Sequence, residues 1–249
     1  MRYFVKLSYN GKNYHGWQKQ PKEVSVQEVL EKAFTLLLNQ KIEIVGCGRT
    51  DSGVHASEYF AHFDVENKID VEDLIYRLNA FLPTDIVIHR FFLVKEDAHA
   101  RFDAISRSYE YRIFLGKDPF LTDLTWQTHH KNINVDLMNE AVKTLFEYEN
   151  FKCFSRSKTD VKTYNCTITQ AKWELEDKLL IFYISANRFL RNMVRAIVGT
   201  LLDVGSEKIT IEEFRKIIES KNRSNAGASV KAKGLFLTKI EYPYELESN

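Results

Sequence analysis

Two α+β halves, each running β-α-β-β-α-β through mainly antiparallel sheets, are the architecture this sequence predicts. Three observations predict it. Runs that alternate apolar and polar residues, the mark of a half-buried strand, occur at 2–9, 57–65 and 106–115. Segments with apolar residues at helical spacing are opened by a capping residue with an acidic one three positions on: Ser25-x-x-Glu28, Asp70-x-x-Asp73 and Thr210-x-x-Glu213. These signals follow the order of a ferredoxin-like unit once in the first hundred residues, then again with insertions. The repeat lies in element order alone. The join falls near residue 104, so 1–104 and 105–249 are the expected domains.

The first strand, 2–9, is broken by Asn10-Gly11. The connector 10–20 then carries Tyr14, His15, Trp17, Gln18 and Lys19, which is unusually aromatic for a loop. Beyond Ser25, a helix sets Val26, Val29, Leu30, Ala33, Phe34 and Leu37 on one side. Strands at 41–45 and 57–65 flank a loop. A second helix opens at Asp70 and stops before Pro83, and a β-prone stretch at 85–94 closes the first half. In the second half, the strand 106–115 is joined by a short one near 125–130 and a helix over 135–148. Strands 166–175 and 179–185 form a hairpin turning at Glu176-Asp177-Lys178. Asn187 is the expected cap of a long helix reaching Asp203, and Thr210 that of another. A last strand spans 234–242.

An apolar fraction of 44% with 28% charged residues is that of a globular chain able to bury a core. The formal net charge is +1, so any polyanion must be met by local clusters of cations. Cys47, Cys153 and Cys166 show no metal-ligand spacing and read as reduced thiols, without zinc. The amino terminus reads as a strand, not a signal peptide, and no apolar run approaches a membrane span. A cytoplasmic protein is expected.

Gly46-Cys47-Gly48-Arg49-Thr50-Asp51-Ser52-Gly53-Val54-His55-Ala56 is the most informative stretch. Three glycines suit a backbone that approaches a ligand closely. Asp51 follows Arg49 by two positions, and an arginine there can keep a nucleophilic carboxylate ionised and aimed. On spacing alone, the same residues also make a tight loop whose Asp accepts backbone N–H groups. His55 has no second ligand at metal spacing and suits a loop-ordering hydrogen bond. Downstream, Arg188, Arg191 and Arg195 form a stripe on the expected helix, beside the bare patch of Gly199. That stripe is either a solvated edge or a set of phosphate contacts. Arg101-Phe102 and Arg107-Ser108-Tyr109-Glu110-Tyr111-Arg112 mix guanidinium groups with rings, as phosphate contact and base stacking require. Tyr111 shares its face with Ile113 and reads as core. Lys152, Arg156, Lys158 and Lys162 make a basic stretch, either a solvated loop or a clamp on an RNA backbone.

The run from Gly48 to Ala56 resembles the active-site motif G-R-T-D-[AS]-G-V-H of the TruA family of tRNA pseudouridine synthases. Four further segments are similar to family motifs, in the expected order. They are Tyr14-x-Gly16-Trp17-Gln18-x-Gln20, His99-Ala100-Arg101-Phe102 with Tyr109-x-Tyr111, Phe189-Leu190-Arg191-Asn192-Met193-Val194-Arg195 continuing to Gly199, and Ala232-Lys233-Gly234-Leu235-Phe236-Leu237. The resemblance implies a pseudouridine-synthase fold and isomerisation of uridine to pseudouridine at positions 38 to 40 of the tRNA anticodon stem-loop. It implies no cofactor, no metal and no membrane, and a homodimer with one tRNA across both subunits. Asp51 takes the place of the nucleophile, kept ionised and placed by Arg49 and Arg195. Tyr109 takes the place of the active-site tyrosine under the target base, and Leu235 that of an apolar pocket wall. Trp17, Gln18, Arg101, Arg188 and Arg191 are the expected RNA contacts. A glycosidase would pair two carboxylates, and the Asp51 loop has no second acid. An aspartyl phosphatase would need magnesium ligands that do not assemble from this sequence. A non-catalytic RNA-binding module would have no reason to keep the Asp51 loop intact.

Overall fold

The computed structural model describes residues 1–129, 133–157 and 161–246. The chain divides into two compact units, one made of residues 1–105 with the chain from Leu237 onward, the other of residues 106–236. Residues 237–246 therefore count with the first unit, not with the second half in which they were expected.

The first unit contains β1 (Arg2–Tyr9), α1 (Val26–Leu38), β2 (Val45–Gly46), β3 (His55–Asp64), α2 (Val71–Phe81) and β4 (Ile86–Val94). β1 lies between β3 and β4 and is antiparallel to both, while β2 pairs with β3. Tyr3, Phe4, Val5, Leu7 and Tyr9 of β1 are all buried. The α1 ring of Phe34 meets Phe63 of β3 edge-on at 4.9 Å and Phe91 of β4 at 6.0 Å, which docks the helix on the sheet. Each such buried ring contributes about 1.5–3 kcal/mol. Ser25 Oγ accepts from Glu28 N at 3.3 Å, so the expected cap is present. The Glu28 carboxylate pairs with Lys32 one turn on.

The expected strand at 41–45 is reduced to Val45–Gly46. Side chains of α1 take its backbone groups instead. Ile42 N donates to Thr35 Oγ1 and Ile44 N to Glu31 Oε1, while Gln27 Nε2 donates to Ile44 O. A β-prone segment whose polar groups are already satisfied has no need of a ladder.

The second unit contains β5 (Ser106–Leu115), β6 (Trp126–Thr128), α3 (Val135–Lys143), β7 (Ile168–Glu176), β8 (Leu179–Ala186), α4 (Met193–Gly205) and α5 (Ile211–Ser220). β8 is antiparallel to β5 and β7, and β6 runs parallel to β5. The expected strand near 125–130 reaches Thr128, and its end at His130 lies outside the described residues. α3 tightens into a 3-10 turn over Thr144–Glu147. β9 (Leu235–Glu241) follows α5 and begins in this unit. Element order and mainly antiparallel pairing thus agree with the α+β class expected.

The long helix from Asn187 does not form as expected. Asn192 sits in the left-handed region at φ 67°, which a helix interior excludes, and α4 starts at Met193. Asn187 is committed elsewhere: its Oδ1 accepts from Thr167 N, and its own N–H donates to Thr167 O. Arg188 and Arg191 therefore precede the helix, and the three-arginine stripe is not built. No described helix is long and apolar enough to cross a membrane.

Candidate active site

Asp51 is half-buried on the loop between β2 and β3, and the connector 10–20 supports that loop from both sides. On the amino-terminal side, Thr50 Oγ1 shares a 2.8 Å hydrogen bond with the buried Tyr9 hydroxyl, and Trp17 N donates to Thr50 O. Gly16 (φ +86°) lies so close that a Cβ there would stand 2.3 Å from Thr50 O. On the carboxy-terminal side, Gly53 N and Ser52 Oγ both donate to Tyr14 O, at 3.2 and 3.4 Å. Val54 N closes the turn on Asp51 O. His55, fully buried, accepts from Gly11 N through Nδ1, so it orders the loop as expected.

The expected RNA contact by Trp17 is corrected. Its ring is 2% exposed and stacked on Tyr59 at 4.1 Å, leaving no face to offer a base. Trp17 is the floor beneath the loop. Gln18 is exposed, with its amide on Gln27. Arg49 is exposed too, and among the described residues its side chain makes no hydrogen bond or ion pair, so it is not paired with Asp51 here. Arg101 is exposed, its guanidinium 5.6 Å from the ring centre of Phe102, itself 74% exposed. The turn carrying them is rigidly braced: Ala100 N donates to buried His62, Tyr242 donates to Ala100 O, and Tyr244 donates to Asp103.

In the second unit, the half-buried Tyr109 ring stands edge-on to Phe189 at 5.1 Å and 85°. The break before α4 is what frees Phe189 from a helix, and sequence reading missed it. Tyr111 is core as expected: its ring is fully buried and its hydroxyl donates to Lys231 O. Burial pushes that hydroxyl well above the usual tyrosine range. Arg195, on α4, donates from Nε to Val230 O at 2.7 Å and accepts from Val230 N through its carbonyl. Residues 226–230 thus strap onto α4, and Gly199 explains how: a Cβ there would stand 1.8 Å from Ala228 O. Arg188 is half-buried and Arg191 exposed, with Arg191 O accepting from Arg156 N. Leu235 is buried at the start of β9. Lys152 faces the Tyr164 ring at 5.5 Å, whereas Lys158 lies outside the described residues. Burial pushes the Cys153 thiol up to about 12 and Cys166 to about 11, which removes both as nucleophiles.

A family model described as tRNA pseudouridine synthase matches residues 7–103 and 141–243. The chain belongs to the tRNA pseudouridine synthase family. It is therefore an isomerase. A tRNA pseudouridine synthase A of Bacteroides thetaiotaomicron is 50% identical, with 99% of this chain and 93% of that protein covered. Those of Bacteroides fragilis and Clostridium acetobutylicum are 50% and 43% identical, covering 98% and 95% of this chain and 98% and 97% of their own. The matched residues of the synthase include Asp51, Arg101, Arg195 and Leu235; Tyr109 falls in the gap between them. One further residue, Asp85, was not legible as part of the site. It binds Tyr14 and Asn13, both in the connector under the Asp51 loop.

Proposed function

We propose that this synthase isomerises uridine at positions 38 to 40 of the tRNA anticodon stem-loop, with Asp51 as the nucleophilic carboxylate. The observation that carries the reading is the fixed, half-exposed placement of Asp51 on a loop bonded to the connector at Thr50, Ser52 and Gly53. Such preorganisation suits a charge that must meet an electron-poor sugar carbon without rearrangement. The reaction breaks the C1′–N1 bond, forms C1′–C5, releases a proton from C5 and places one on N1. Atoms and electrons balance, so no cofactor or metal is required. Asp51 can bond to C1′, assist a glycal route or add to C6; each needs the carboxylate ionised.

Arg49 and Arg195 supply the positive charge the anionic steps need, and Tyr109 and Leu235 take the base, as the resemblance implies. Tyr109, braced edge-on by Phe189, presents a ring of fixed orientation to an extruded uracil. Arg101 and the exposed Phe102 are suited to a phosphate and a nucleobase, and Gln18, Arg188 and Arg191 complete the proposed RNA contacts. On this reading the enzyme acts in the cytoplasm as a homodimer, and a sedimentation experiment is expected to give twice the 29.2 kDa of one chain.

Tritium release from tRNA labelled at C5 of uridine tests the reading, because C5 loses hydrogen only when a new bond forms there. Wild type is expected to release tritium from positions 38 to 40, and Asp51→Ala to release none while binding tRNA normally. A binding-competent wild type that releases nothing would remove the catalytic reading. Release by Asp51→Ala would remove the nucleophile assignment.

A further inference from the structure

The connector 10–20 touches the Asp51 loop on both sides of the proposed nucleophile, and the connector is itself tied down at one distant residue. Asp85 stands just before β4, half-buried. Its Oδ1 accepts from the Tyr14 hydroxyl at 2.5 Å, its Oδ2 accepts from Asn13 Nδ2 at 3.0 Å, and its carbonyl accepts from Asn10 N at 2.9 Å. Three residues of the connector thus converge on one residue of another element. Tyr14 passes the constraint on, because its own carbonyl receives Gly53 N and Ser52 Oγ, the two residues that follow Asp51. The Tyr14 hydroxyl is held in its protonated form by burial and by Asp85, so it serves as a donor throughout the working pH range.

We propose that Tyr14 and Asp85 are a positioning couple for the reaction, setting the direction of Asp51 through the Tyr14 carbonyl without touching substrate. The inference rests on Asp51 being the reacting carboxylate. Such a couple serves chemistry and not RNA affinity, because a carboxylate misdirected by a fraction of an ångström still leaves the binding surface intact. The part of the constraint that runs through the hydroxyl and the carboxylate is also non-additive: once the Asp85 carboxylate is removed, the Tyr14 hydroxyl has nothing left to transmit.

Single-turnover tritium release and tRNA binding measured side by side test this in the full chain. Tyr14→Phe keeps the ring and removes the hydroxyl, and should slow single-turnover release about tenfold or more with tRNA affinity within about twofold of wild type. Asp85→Ala should do the same, and Asp85→Asn, which keeps a carbonyl acceptor for Tyr14, should recover most of the rate. The Tyr14→Phe/Asp85→Ala double variant should be no slower than the slower single one. An unchanged single-turnover rate in Tyr14→Phe overturns the proposal. So do multiplicative losses in the double variant, or a lost rate that tracks lost melting temperature or tRNA affinity. If wild type itself releases no tritium, the function reading has failed; if wild type reacts and Tyr14→Phe matches it, only the couple has failed.

Discussion

His62 carries a pH dependence that can be read from its surroundings. It is 4% exposed on β3, its Nδ1 accepts from Ala100 N at 3.1 Å, and the His99 ring meets it edge-on at 4.7 Å. Burial, reinforced by Arg2 and His99, pushes its pKa from the ordinary 6.5 down to about 4. Between those values the unfolded chain takes up a proton that the native protein refuses. Stability is therefore lost as pH falls from 6.5 towards 4, by about 3 kcal/mol at most, with no further loss from this group below. Denaturant midpoints at pH 7.5 and 5 should differ in wild type, and His62→Gln should shrink the difference. Protonation would also cost Ala100 its acceptor. Because Ala100 lies in the turn presenting Arg101 and Phe102, the loss would begin there.

At the scale of elements, the strap over α4 is the most exposed to a single change. Gly199→Ala would place a methyl group where Ala228 O now sits, forcing residues 226–230 away from the helix. Both Val230 bonds to Arg195 depend on that strap, as does Gly227 N on Thr200 Oγ1. Overpacking of this kind costs about 1–3 kcal/mol. A melting scan should show the variant destabilised, and its tRNA isomerisation rate should fall further than the lost stability accounts for. The caps of α1, α2 and α5 were legible because each lies within a few residues of its partner; at Thr210 and Glu213 both halves of the capping box form. The start of α4 was not legible. Its 188–201 apolar pattern suits a helix throughout, and only the left-handed turn at Asn192, whose amide meets Ser229 37 positions away, stops it.

For the whole molecule, a net charge of +1 leaves tRNA binding to local groups of cations. The logarithm of the affinity should still fall linearly with the logarithm of salt concentration, with a slope proportional to the phosphates neutralised. Arg101→Ala should lower that slope by about one, and Phe102→Ala should weaken binding while leaving the slope alone. Binding titrations at several salt concentrations separate the two effects. The same division between near and far information runs through the entire chain. Element order, the caps of α1, α2 and α5, the Asp51 loop and the family it belongs to were settled by residues that are neighbours in sequence, because periodicity and capping act within a turn or two. Folding alone decided that residues 42–44 bond to α1, that Trp17 becomes a floor and not a contact, that Arg49 stands exposed, and that Asp85 holds Tyr14 from 71 positions away. In each case groups distant in sequence compete for one volume or one hydrogen bond, and that competition exists only once the chain has brought them together.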